Sequence, residues 1–245
     1  MRKLSVYNSV TLDGYFTGAN GDFSWAHRQD PKHEPEFQEF VESNARGGGE
    51  LLFGRITYEL MASYWPTPMA IKNDPVVAAR MNDLPKVVFS RTLDKASWNN
   101  TKLVKTGMSA AIRKMKNEPG PDMVIFGSGS IIAQLTAERL IDEYQIVLNP
   151  VVLGAGRTMF DGLKEKIDFK LTKSRIFSNG NVFLCYEPSA WTRAGSTSRR
   201  TAPPMRSRVA VTASSSPIWR RGRAMWLRPK TRCRRRSHRR SRIGR

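Results

Sequence analysis

Acidic residues are missing from one end of this 245-residue chain. Its last 57 residues, from Ser189 onward, hold 18 Lys and Arg and no Asp or Glu. Residues 1–188 hold 23 Lys and Arg against 21 Asp and Glu, a net of +2. The formal net charge of +20 therefore describes the tail, and total charge gives no ground for reading the rest as a nucleic-acid binder. Cysteine is scarce as well. Cys185 and Cys233 fall on opposite sides of the composition break, which excludes a disulfide framework and a thiolate metal cluster. The three histidines, His27, His33 and His238, share no metal-ligand spacing, so no metal site is predicted. No apolar run reaches about 18 residues, which excludes a membrane-spanning helix. The opening Met-Arg-Lys-Leu-Ser-Val-Tyr-Asn-Ser-Val enters strand-like sequence directly and lacks a signal-peptide core. A reducing, cytoplasmic location is the expectation.

What is present is an alternation of strands and helices. Residues 4–10 alternate and are β-branched, which predicts a strand. A polar, glycine-rich loop follows, through Leu12-Asp-Gly14 to Trp25. Helices are predicted over 35–44, where Phe37, Phe40 and Val41 keep i, i+3, i+4 spacing, over 57–62 with Thr57 as N-cap, and over 74–82, 108–116 and 130–137. Strands are predicted over 50–53, 86–89, 122–126, 144–148, 169–176 and 182–186. This order implies an α/β fold with three layers: a mixed, mainly parallel sheet, helices on both faces and an antiparallel edge at the C-terminal end. Residues 1–188 form the expected domain. Residues 189–245, rich in Arg, Ser, Thr and Pro and without a sustained period, are expected to be disordered, because they cannot bury enough apolar surface to offset their ordering entropy. Two readings of that tail stay open: an arm that binds nucleic acid or an anionic membrane through its charge, or a frame-shifted or read-through extension with no selected function.

Three strands end in small or cationic residues: Phe53-Gly-Arg-Ile-Thr57, Phe89-Ser-Arg-Thr92 and Phe126-Gly-Ser-Gly-Ser130. In a mainly parallel sheet these ends share one edge, beyond which ligands bind. A helix start offers free N–H groups and partial positive charge to a phosphate. Glycine allows close approach, and two arginines suit a further phosphate monoester. The set fits a phosphorylated dinucleotide. Each part also has a plainer reading: a strand-to-helix connector for Gly127–Ser130, solvated surface arginines for Arg55 and Arg91, a helix cap for Thr57.

Leu12-Asp-Gly14, Gly54-Arg-Ile-Thr-Tyr-Glu59, Phe89-Ser-Arg-Thr-Leu93, Ile125-Phe-Gly-Ser-Gly-Ser130, Leu140-Ile-Asp-Glu-Tyr144 and Asn149-Pro-Val-Val-Leu-Gly-Ala-Gly156 follow one another in a familiar order. With them the chain resembles the dihydrofolate-reductase-like superfamily over about residues 1–188. Within it the likeness is to stand-alone relatives of the C-terminal reductase domain of the bifunctional riboflavin-biosynthesis deaminase/reductase. The resemblance implies NADPH as cofactor. By it, Gly54, Arg55 and Thr57 would meet the adenosine 2′-phosphate and the diphosphate, Ser90 and Arg91 would flank the ribose phosphate, and Gly127, Ser128, Gly129 and Ser130 would wrap the diphosphate. The loop from Leu12 to Trp25 is similar to the family's mobile active-site loop.

Hydride transfer asks the protein for orientation and a source of protons. Asp30, five residues after Trp25, and Asp13 are the two acidic candidates; the plain reading of each is a turn residue. Two departures bear on the substrate. Where the riboflavin-pathway reductases usually carry an acid just before the glycine turn, Ile125 and Phe126 stand; where they often have a lysine in the first strand, Tyr7 and Asn8 stand. The expectation is an NADPH-dependent reductase of a pyrimidine- or pteridine-type heterocycle, of the phosphoribosylaminouracil-reductase type, and by resemblance a homodimer through its late strands. A dihydrofolate or pterin reductase, a non-catalytic NADPH- or pterin-binding module, and nucleic-acid binding through the tail are the alternatives.

Overall fold

Alternating burial along Leu4–Thr11 (β1) sends Leu4, Val6 and Asn8 to one side of a sheet and Tyr7 to the other. Around this strand a computed structural model describes residues 1–27 and 34–189. The expected proton donor Asp30 and nearly all of the expected disordered tail lie outside the described residues. The remaining strands are Tyr15–Gly18 (β2), Glu50–Gly54 (β3), Lys86–Phe89 (β4), Thr101–Val104 (β5), Met123–Phe126 (β6), Glu143–Asn149 (β7), Gly156–Thr158 (β8), Phe169–Ile176 (β9) and Val182–Pro188 (β10). The helices are Pro35–Gly47 (α1), Arg55–Tyr64 (α2), Pro68–Asn73 (α3), Pro75–Asp83 (α4), Met108–Asn117 (α5) and Gly129–Ala137 (α6).

Eight strands form one sheet in the order β5-β4-β3-β6-β1-β7-β10-β9, and β2 pairs with β8 apart from it. All pairings from β5 through β7 are parallel, and β10 runs antiparallel to both β7 and β9. The fold is the expected three-layer α/β/α arrangement with an antiparallel C-terminal edge. On one face Leu4, Val6, Met123 and Ile125 pack with Ile112 of α5 and Ile131, Ile132 and Leu135 of α6. On the other, Leu51, Phe53 and Val88 pack with Val41 of α1, Tyr58 of α2 and Val77 and Met81 of α4. Covered faces explain why β3 and β4 read as continuous buried runs.

Burial is matched by polar satisfaction at the sheet's N-terminal edge. Lys86 is 1% exposed. Its ammonium donates to the carbonyls of Asn82 (2.9 Å), Leu84 (2.7 Å) and Asn99 (3.1 Å) and lies 4.6 Å from the Trp98 ring centroid. Desolvation pulls its pKa down to about 8.

Thr57 is not the cap of its helix. α2 starts two residues earlier, its N-cap is Gly54, and Thr57 sits within the first turn. The threonine hydroxyl has a different partner, across the sheet edge.

Candidate active site

Because β4, β3, β6, β1 and β7 run parallel, Phe89, Gly54, Phe126, Thr11 and Asn149 end them along one edge. The turns after β3 and β6 interlock there. The Ser128 hydroxyl accepts from the Gly54 N–H at 2.9 Å, and stands 3.0 Å from the Thr57 hydroxyl and 3.1 Å from the Phe126 carbonyl. To reach these partners Ser128 adopts a left-handed backbone, φ 60°. Glycine on either side of it answers to protein atoms. A Cβ at Gly127 would lie 3.2 Å from the Thr57 side chain, and one at Gly129 would lie 2.6 Å from the Phe16 ring. The turn is thus a fitted connector in its own right.

It leaves something over for a ligand. α2 and α6 begin on neighbouring strands and neither has a side-chain N-cap. The side chain of Ser128, at the capping position of α6, is turned toward Gly54. First-turn N–H groups point out of a helix start, so two uncapped starts face the same strand edge with their positive ends.

The other predicted residues divide. Arg55 opens α2 and pairs with Glu59 at 2.8 Å, with both side chains nearly half exposed. Such a pair contributes little and is easily exchanged for a stronger anion. Arg91 is exposed and makes no hydrogen bond or ion pair among the described residues. The Ser90 hydroxyl accepts from the N–H groups of Thr92 (3.2 Å) and Leu93 (2.9 Å), so it shapes the turn that carries Arg91. Ser130 is exposed at the start of α6.

Asp13 has both carboxylate oxygens engaged. One accepts from the Thr11 hydroxyl at 2.5 Å, and the other from the N–H groups of Leu153 (3.0 Å) and Gly154 (2.8 Å). The Thr11 hydroxyl, followed by the Gly154 and Leu153 amides, holds its pKa below the ordinary carboxylate value. That is the wrong direction for a proton donor near neutrality. Asp13 latches the 153–154 segment to the end of β1.

Two residues at this edge, Phe16 and Asn8, were not picked out as site residues from the sequence. Phe16 of β2 is 7% exposed and packs on Gly129. Trp25 is buried with its indole N–H unpartnered, and Asn8 is buried with an unpartnered amide. A polar residue in the core-facing register of a strand was the available signal for Asn8. Tyr7, next to it, is pushed up to about 12 by burial, with a contact to Asn44 acting the other way. A cavity of about 380 Å³ between Ala62, Pro66, Asn82 and Trp98 lies at the opposite strand edge and belongs to none of this. Among the described residues no group of three His, Cys, Asp or Glu side chains could hold a metal ion. No described helix is long and apolar enough to cross a membrane.

Comparison with known proteins places the chain in a family. The family model described as the RibD C-terminal domain matches residues 2–183. The chain is 28% identical over 185 residues to the uncharacterized protein YyaP of Bacillus subtilis (strain 168), covering 76% of this chain and 94% of that one. It is similar in structure to a protein of Shewanella sp. PV-4 with a provisional riboflavin-biosynthesis name: TM-score 0.58, 23% identity, 76% of this chain and 99% of that one. It is also similar to the diaminohydroxyphosphoribosylaminopyrimidine deaminase/5-amino-6-(5-phosphoribosylamino)uracil reductase of Thermotoga maritima: TM-score 0.55, 14% identity, 77% of this chain and 57% of that one. At such identities the two structures show a shared fold.

Proposed function

Because the chain belongs to the RibD C-terminal domain family, we propose that it is an NADPH-dependent reductase of a pyrimidine- or pteridine-type heterocycle. The 5-amino-6-(5-phosphoribosylamino)uracil reductase activity named for the Thermotoga maritima protein is the type proposed first. A dihydrofolate or pterin reductase is the second reading, favoured by Ile125 and Phe126 where those riboflavin-pathway reductases usually carry an acid.

The observation that carries the proposal is the pair of uncapped helix starts joined through Ser128, with Arg55 and Arg91 on the flanking turns. The backbone amides of Arg55 to Thr57 and of Gly129 and Ser130 would hold the diphosphate, and the two arginines the 2′-phosphate. Gly54, Ser90, Gly127 and Ser128 would shape these turns. Bound dihydronicotinamide supplies the hydride. The chain's own residues bind, orient and exclude water. Phe16 and Trp25, both buried, are the apolar cover on the loop after β1. Asp30 is the proposed source of the proton, and latched Asp13 a positioning residue. Residues 1–188 are proposed as the catalytic domain of a cytoplasmic homodimer, with 189–245 appended.

The test is titration of the full chain with NADPH and NADH at raised ionic strength, followed by NADPH consumption with ribosylaminopyrimidines and pterins. Tighter binding of NADPH than NADH, with turnover of one heterocycle class, is the expected result. Binding without turnover of any of them would make the protein a non-catalytic NADPH-binding module. Failure to bind either nucleotide would sink the reductase reading.

A further inference from the structure

Asn8 is 3% exposed in the middle of a sheet, yet its amide nitrogen has no hydrogen-bond partner. Buried amides are nearly always paired, and an unpaired one disfavours folding. Its place is informative. Tyr7 is opposite Phe126, the last residue of β6, so Asn8 stands level with Gly127 at the opening of the interlocked turn. It shares a sheet face with Leu4 and Val6, which pack on α6, and with them in that cluster lies Phe16, the ring seated on Gly129. Farther along the segment that carries Phe16, the Thr17 hydroxyl and the Trp25 indole N–H are also buried without a partner. The unpartnered Asn8 amide therefore stands where the strand ends meet the start of α6.

We propose that the Asn8 carboxamide is a specificity-determining group that binds a neutral edge with adjacent C=O and N–H groups, a lactam or a carboxamide. A carboxamide offers one donor side and one acceptor side, and its complement is a group with the same pair reversed. A cation, a carboxylate or a phosphate would satisfy only one side and would bring an unbalanced charge into a buried place. Two sources carry the right edge on the site as read above, on which this inference rests: the nicotinamide carboxamide of the cofactor and the lactam of a pteridine or pyrimidine substrate.

The experiment measures binding to the full-length protein with two ligand pairs. One is NADP against its acetylpyridine analogue, which replaces the carboxamide by a methyl ketone. The other is lumazine, a pteridine dione, against its N-methylated form, which lacks the ring N–H. Wild type should favour the first member of one pair by roughly tenfold or more, because a buried polar group left unpaired carries a penalty of that size. Asn8→Leu should erase that preference and leave binding of the adenosine bisphosphate half of NADPH unchanged. Preference in the NADP pair assigns the edge to the cofactor; preference in the lumazine pair assigns it to the substrate. Asn8→Asp, which keeps one acceptor and loses the amide donor, should also lose the preference and covers the case in which Asn8→Leu does not fold. Equal affinities or no measurable binding in both pairs would overturn the proposal, as would a preference that survives Asn8→Leu. Loss of adenosine bisphosphate binding in wild type would instead strike at the cofactor reading, and the lumazine pair would then decide on Asn8 alone.

Discussion

Ser128 and Thr57, 71 residues apart in sequence, place their hydroxyls 3.0 Å from each other across the ends of β6 and β3. This contact fixes the start of α6 relative to the start of α2, since Ser128 also accepts from the Gly54 N–H. Replacing Ser128 by Ala leaves that N–H unpaired and should lower stability by about 1–3 kcal/mol. Thr57→Val should cost less. In a double-mutant cycle the two effects should be non-additive by about 0.5 kcal/mol or more, measured by urea unfolding. Strict additivity would show that the turns are fixed by other means.

Arg55 and Arg91 stand on the flanking turns, one in an exposed pair with Glu59 and one without a partner among the described residues. The double substitution Arg55→Ala/Arg91→Ala should weaken NADPH binding by roughly 2–4 kcal/mol, from charged hydrogen bonds worth about 1.5–3 kcal/mol each with partial overlap. NADH binding should fall far less. Fluorescence titration of both nucleotides reads the difference, and an equal loss for the two would take the arginines off the 2′-phosphate.

Gly129 has no room for a methyl group, because Phe16 is there. Gly129→Ala should destabilise the protein by roughly 1–3 kcal/mol through overpacking. Phe16→Ala in the same chain should return part of that loss. A thermal-unfolding series of the four proteins checks the pairing, and the absence of rescue would mean that the ring moves aside without resistance.

Tyr7 and Tyr144 are both pushed up to about 12 by burial, from an ordinary value of 10. The sign follows from proton release. Above pH 10 the unfolded chain ionises these phenols first, so the stability they contribute is complete below pH 10 and lost as pH rises toward 12. Each can remove up to about 2–3 kcal/mol. Unfolding followed by tryptophan fluorescence should coincide with tyrosinate absorbance in that window, and Tyr7→Phe should make the loss shallower. Titration of both phenols near pH 10 in a folded protein would contradict the burial.

Asp13 holds its charge below the ordinary carboxylate value of 3.8. The folded pKa is depressed, so the latch is intact above that value and is lost only as pH falls through a still lower one. Once a substrate is found, Asp13→Asn should lower turnover without moving the pH profile between neutrality and pH 5. A shift of the acidic limb would make Asp13 a proton donor after all.

Much of the sheet was legible because its inner strands are covered on both faces and so read as apolar runs. Phe53, Val87 and Ile125 announce themselves. β5 did not, since Thr101-Lys-Leu-Val104 is a half-exposed edge with a single strongly apolar pair. β2 and β8 pair only with each other, outside the main sheet, and carry no alternation long enough to notice. The start of α2 was misplaced because Thr57 has the chemistry of a cap, and only the fold shows its hydroxyl bound elsewhere. At the site, the glycine turn could be read, but the cause of its glycines could not: Thr57 and Phe16 reach it from distant parts of the chain.

Lys86 turns the N-terminal edge of the sheet into its own reporter. An amine with a pKa near 8 is partly neutral in mildly alkaline solution and therefore nucleophilic, yet this one is 1% exposed behind Trp98. An acylating reagent meets it only in those moments when β4 parts from the carbonyls of Asn82, Leu84 and Asn99. Its labelling rate, compared with that of the surface lysines, counts how often the edge of the fold opens.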